Sequence, residues 1–246
     1  MKTFLFCTCY MDNNDIHNNK TRINRWIEYY KEKMKLFGAD YLFLIDDGSP
    51  LVDLSPYIDV IDSDKLPEFL ISNINFVRFK DNLGRPTWED YQGWWRSFVF
   101  SLNIAENYGF DKIIHIESDF YVLSKSMIEY MKLLKFGWVT FYSEYHNFPE
   151  TAIQIICKDS YFKFKEIQTN IRNNNYRTEN RISAELFLPF TTIERKFNGD
   201  RLGQPEVFDF WLKTKKNNQK LDYIGQVHPY HKSEYYKMFF ESDYNI

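Results

Sequence analysis

Apolar residues fall along this chain in short blocks separated by polar turns, and the spacing inside each block predicts its element. Residues 3–9 form a compact apolar run, the mark of a buried strand. Between 21 and 37, Ile23, Trp26, Ile27, Tyr30, Met34 and Phe37 recur at steps of three and four. That spacing draws one face of an amphipathic helix, and Gly38 stops it. Residues 41–45 predict a second strand, which runs into the turn Asp46-Asp47-Gly48-Ser49-Pro50. A further strand over 75–79 ends at Lys80-Asp81-Asn82-Leu83-Gly84, and a helix over 91–108 is closed by Gly109. The isoleucine-rich residues 112–116 then lead straight into Glu117-Ser118-Asp119.

The second half is less regular. Strands are predicted over 138–142, 153–157 and 221–227, and a helix over 205–215. The polar stretch 168–181 reads as a mobile loop. Strand–helix–strand units of this length imply an α/β fold, with a mostly parallel central sheet and helices on both faces. A length of 246 residues suits one such domain. In these sheets a ligand sits outside the carboxyl ends of the strands. Asp46, Asp47, Asn82, Glu117 and Asp119 are all predicted to lie there.

Composition narrows the classes. Hydrophobic residues make up 44% and charged residues 26%, an ordinary globular balance. A net charge of −3 argues against a broad nucleic-acid surface, which needs clustered Lys and Arg. Aromatic residues reach 19%; most should fill the core, though Tyr and Trp also suit open grooves that stack on sugars or bases. Cys7, Cys9 and Cys157 make neither a disulfide framework nor a zinc pattern, which fits a reducing cytoplasm. The apolar run after Met1 is too short for a signal peptide, and no stretch has the length to span a bilayer. The expectation is a soluble cytoplasmic protein, at most peripheral at the inner face of a membrane.

Glu117 and Asp119, at i and i+2, point the same way if the backbone stays extended at the strand's end. Together they can hold one hard cation through oxygen, or they can form a solvated turn. Asp46 and Asp47 can accept hydrogen bonds from a base edge or a ribose hydroxyl; an ordinary Asp-Gly turn is the other reading. His228, at the end of the last strand, suits a third metal ligand, His231 less so. Glu206, near the start of the late helix, can take a proton from an acceptor hydroxyl or simply stabilise the helix dipole. Asp209 competes for that role, with Glu144, Glu179 and Glu185 as more distant options.

These pieces resemble a known family. Ile45-Asp46-Asp47-Gly48-Ser49 is similar to the DDGS signature of family 2-like glycosyltransferases, and Asn82-Leu83-Gly84 to their NxG element. Glu117-Ser118-Asp119 resembles a variant of their DXD motif. Pro205-Glu206-Val207-Phe208-Asp209 is similar to the segment that supplies the base, and 221–228 to the strand that ends in a late histidine. The resemblance implies a GT-A fold, with a nucleotide-sugar-binding half over 1–123 and an acceptor-side half over 124–246. It implies a nucleotide-diphosphate sugar donor, Mn²⁺ or Mg²⁺, and a glycan or other hydroxyl acceptor, usually in polysaccharide biosynthesis. Asp46 and Asp47 would contact the nucleoside, with Thr8 and Tyr10 beside them. Arg85 and Arg96 are diphosphate candidates, Arg96 alternatively packing on its helix. Glu117, Asp119 and His228 would surround the metal, and Glu206 would be the base of an inverting displacement. Trp88, Trp94 and Trp95 depart from the family's small-residue pattern after the NxG element.

A sugar-1-phosphate nucleotidyltransferase is the competing enzyme class. It wants a Gly- and Arg-rich loop after the first strand, where residues 10–19 hold neither. A non-catalytic carbohydrate-binding protein on the same fold is the third reading. Residues 168–181 are expected to act as an acceptor-side lid, and residues 230–244 to pack on the domain, dimerise or touch a membrane.

Overall fold

The apolar blocks become strands where backbone pairing satisfies their amides, and the amphipathic blocks become helices laid across them. A computed structural model describes residues 1–11, 16–50, 54–87, 89–214 and 220–228. In chain order the first half contains β1 (Thr3–Cys9), α1 (Ile16–Lys31), β2 (Tyr41–Asp46), β3 (Asp59–Asp62), β4 (Ile74–Arg78), α2 (Gln92–Tyr108) and β5 (Lys112–Ile116). The short β6 (Tyr121–Val122) and α3 (Lys125–Leu133) follow, then β7 (Trp138–Ser143), β8 (Phe148–Cys157) and α4 (Tyr161–Asn173). The chain continues through α5 (Ala184–Phe187), β9 (Thr192–Glu194), β10 (Gly199–Asp200), α6 (Pro205–Thr214) and β11 (Tyr223–Ile224).

Eight strands form one sheet in the order β3-β4-β2-β1-β5-β8-β7-β9, and β10-β11-β6 form a smaller one. In the large sheet only β8 runs against its neighbours. One face is covered from α1 and α3, where Trp26, Tyr30 and Met127 are buried. The other is covered from α2 and α4, where Phe98, Phe164 and Ile171 are buried. The expected mostly parallel α/β sheet with helices on both faces is thus the observed architecture.

The chain leaves β1 toward β2 and β4 on one side, then returns to β5 on the other. The carboxyl ends of β1 and β5 therefore flank a switch point, where connections depart in opposite directions and open a crevice. β5 is held there by more than its isoleucines. The buried Lys112 ammonium donates to the carbonyls of Met131, Lys132 and Leu134, a favourable place for a cation at the end of α3.

Several boundaries differ from expectation for local reasons. The first helix starts earlier and yields to turns after Lys31, well before Gly38. Residues 168–173 are not loop but the end of α4, because Gln168 is buried and donates to the carbonyl of Val99 at 2.7 Å. The late strand shrinks to Tyr223–Ile224: Gly225 lies against the Phe120 ring with no room for a β-carbon, and Gln226 takes a φ of 57°. Trp88, His231 and the 230–244 segment lie outside the described residues.

Candidate active site

At the crevice lies an open cleft of about 980 Å³. Thr8 and Tyr10 from the end of β1, Arg22 from α1, and Glu117 and Asp119 after β5 line one part of it. Asp47, Asn82, Arg85 and Trp94 line another, and Thr151, Glu185, Arg201 and Gln226 a third. A cleft of this size suits a ligand as large as a nucleotide sugar.

Hydrogen-bond accounting separates the acidic residues by role. Asp46 turns inward: it accepts from the amide of Ser49 at 2.7 Å and from the Ser49 hydroxyl, and it is fully buried. Burial lifts its pKa to about 6, against the lowering effect of the Ser49 hydrogen bonds. Asp46 is not among the lining residues of the cleft. Asp47 lines the cleft, but its carboxylate is occupied. One oxygen accepts from Asn82 at 2.9 Å and from the amides of Leu83 and Gly84 at 3.2 and 2.8 Å. The other pairs with Arg96. The two motifs are therefore clamped to each other. Burial still raises the Asp47 pKa, against the hydrogen bond from Gly84 and the Arg96 charge. Arg96 also donates to the Asp81 carbonyl, which makes it a buried strut and leaves Arg85 as the cleft-lining member of the expected arginine pair.

Glu117 is the floor of the cleft. Thr8 Oγ1 sits 2.8 Å from both of its oxygens, and the Trp94 indole donates to one of them. His115 Nε2 lies 3.0 Å from the same oxygen, close enough for an ion pair but off the angle of a hydrogen bond. Burial works to raise the Glu117 pKa, and the His115 charge with the hydrogen bonds outweighs it, so the net shift is downward. The backbone does not stay extended here. Phe120 N–H donates to the Glu117 carbonyl at 2.9 Å and closes a turn. The i, i+2 geometry expected of the two carboxylates is thereby lost, although both reach the cleft.

Asp119 differs from its neighbours: among the described residues, no hydrogen bond from another residue reaches its side chain. Burial raises its pKa, against the charges of Arg22 and His228, while Glu117 reinforces the rise. His228 is brought alongside because Val227 N–H donates to the Asp119 carbonyl at 3.0 Å. Burial lowers the His228 pKa, and Asp119 acts in the opposite sense. Among the described residues no three His, Cys, Asp or Glu side chains gather as a metal site. Of the expected Glu117–Asp119–His228 trio, Glu117 is engaged by Thr8, Trp94 and His115, while Asp119 lies beside His228. Asp119 faces the cleft and His228 lies behind it.

Glu206 and Asp209 are exposed on α6 and line no part of this cleft. The same helix turns Val207, Phe210 and Trp211 toward a separate pocket of about 220 Å³. The apolar positions of α6 dictate that orientation, and its acids fall on the opposite, solvent side. Among the more distant options, Glu144 lines the small pocket and Glu185 the main cleft, while Glu179 lines neither. Arg22, Trp94, His115 and Arg201 were not singled out as site residues by the sequence. Each meets the site through tertiary packing, which leaves no local pattern to find.

No protein-family model matches the chain, and no curated protein matches it. Among solved structures it is similar to a glycosyltransferase involved in the glycosylation of the major capsid of PBCV-1. The likeness covers 92% of this chain and 93% of that one, with a TM-score of 0.50 and 11% identity. The two share a fold. At that identity the likeness carries architecture alone. Among the described residues, no helix is long and apolar enough to cross a membrane.

Proposed function

We propose that the cleft binds a nucleotide-diphosphate sugar and transfers the sugar to a hydroxyl acceptor, as a GT-A glycosyltransferase does. One observation carries the reading: Asp119, Arg22 and Arg85 are drawn to a single cleft at the β1/β5 switch point of a fold shared with a glycosyltransferase, with His228 beside Asp119. Arg22 and Arg85 supply cations for a diphosphate, and Tyr10 a ring for the nucleoside. Asp119 and His228 would hold Mn²⁺ or Mg²⁺ together with the diphosphate oxygens. That ion would neutralise charge on the departing nucleoside diphosphate.

The clamp between Asp47 and the Asn82–Gly84 turn fixes the nucleoside end of the cleft, and the Thr8–Glu117–Trp94 contacts fix its floor. Both are preorganised before any ligand arrives, which lowers the cost of orienting it. The acceptor is expected to be a carbohydrate that enters from the side lined by Thr151, Glu185 and Arg201.

The test is release of nucleoside diphosphate from UDP-, GDP- and dTDP-sugars with Mn²⁺ or Mg²⁺. One donor should turn over, and Asp119→Ala should reduce that rate by about 10²-fold or more, the scale of losing a main electrostatic contact. No release from any donor, or an Asp119→Ala rate equal to wild type, overturns the proposal.

A further inference from the structure

Five carboxylates line the main cleft, and their partners decide what each can do. Asp47 is saturated by Asn82, Leu83, Gly84 and Arg96. Glu117 is held by Thr8, Trp94 and His115. Asp119 faces Arg22 and His228. Glu89 is an exposed rim residue with Arg181 at 3.8 Å. Glu185 alone combines partial burial with a carboxylate held at one end only. Its Oε1 accepts from Thr151 Oγ1 and Arg201 Nη2, both at 3.2 Å, and among the described residues its Oε2 takes no hydrogen bond.

The support behind Glu185 is rigid. Arg201 is fixed first by the fully buried Glu150, to which it donates from Nε at 2.8 Å and from Nη2 at 2.9 Å. That bidentate pair takes up most of the Arg201 charge and leaves Glu185 with a single longer contact. Glu150 is anchored in turn by the amide of Ala152 at 3.0 Å. The same stretch of β8 links the two sides of the cleft. Thr151 touches Glu185, and the adjoining Ala152 carbonyl accepts from the Glu117 amide at 2.9 Å. Glu185 and the Glu117–Asp119 turn are therefore mounted on one strand pair, β5 and β8, facing the same space.

We infer that Glu185 is the general base for the acceptor. The inference rests on the glycosyl-transfer reading above. The acceptor hydroxyl gives its proton to Glu185 Oε2 while its oxygen forms the bond to the anomeric carbon. The bond from that carbon to the diphosphate breaks, and the electron pair leaves on the nucleoside diphosphate. Fixing Oε1 leaves Oε2 with a defined position, as base catalysis requires. This places the base on α5, not on the α6 acids that the sequence favoured.

The experiment uses the full chain with water as acceptor. Nucleoside diphosphate release from UDP-, GDP- and dTDP-sugars is measured beside binding of UDP, GDP and dTDP by calorimetry. Glu185→Gln keeps an oxygen for Thr151 and removes the base. It should bind the diphosphate within about twofold of wild type and lose about 10²-fold or more of turnover. Wild-type turnover in this variant overturns the assignment while leaving the donor reading intact. Turnover and binding lost in parallel overturn it too, since that result marks a structural role. If Glu185→Gln does not fold, Glu185→Asp retracts the carboxylate by one methylene and reads the same contrast: turnover down at least about tenfold with binding kept. Undiminished turnover there counts against the base. A wild-type chain that binds no diphosphate removes the donor reading and this assignment together.

Discussion

At the scale of single residues, the cleft is built from side chains whose commitments differ more than their chemistry does. Asp46 and Asp47 are adjacent and alike, yet both carboxylates serve the turns around them. The Asp46 pKa of about 6, against an ordinary value of 3.8, means that the folded chain holds this proton more tightly than the unfolded chain. Its contribution to stability is complete below pH 4 and is lost as pH rises through 6, a change of roughly 3 kcal/mol. Asp46→Asn keeps an acceptor for Ser49 and removes the titration. Urea melts between pH 4 and 7 should therefore fall less steeply in the variant, and an unchanged slope contradicts the account. Arg96 makes the converse case. Arg96→Met leaves Asp47 as a buried charge without its partner, so equilibrium unfolding should show a loss of about 3–5 kcal/mol. A loss under 1 kcal/mol would mean that the pair is dispensable.

Elements matter here chiefly by how closely they approach. The N-terminal turn of α2 sits on the Asp47 carboxylate so tightly that a β-carbon at Gly93 has no space. Gly93→Ala should push α2 away from the Asp47–Gly84 clamp. The cost expected is about 1–3 kcal/mol, read as a lowered melting temperature. A variant as stable as wild type contradicts this packing. Such contacts explain what the sequence disclosed. Strands β1 and β5 were legible to the residue, because a mostly apolar run of 7 or 5 residues is too short for a buried helix and is bounded by polar residues. The end of α2 was legible because Gly109 takes the left-handed conformation with φ 65°. The end of α4 was hidden, since Gln168 reads as a loop residue until its amide finds the carbonyl of Val99. β6 and β10, two residues each, carry no period at all.

For the molecule as a whole, the acidic strand ends were legible as a gathering at one rim of the sheet, and Asp47, Glu117 and Asp119 do share a cleft. Their division of labour was not. It depends on which partners each carboxylate meets, and those come from β1, α1, the Asn82–Gly84 turn, α2 and β5. The α6 acids lie away from that cleft for a related reason. A helix start with Glu206 and Asp209 looks the same in sequence whether its acids face the cleft or solvent, and burial of Val207 turned them outward. The central claim is that Asp119 and the cations beside it form a diphosphate site at the β1/β5 switch point. Thermal unfolding with UDP, GDP, dTDP and ADP, each with and without Mn²⁺, tests it most directly. One diphosphate with Mn²⁺ should raise the melting temperature of wild type, by the equivalent of about 2.7 kcal/mol at 100 times its Kd, and should leave Asp119→Ala unmoved. An equal rise in both proteins, or none in wild type with any of the four, contradicts it.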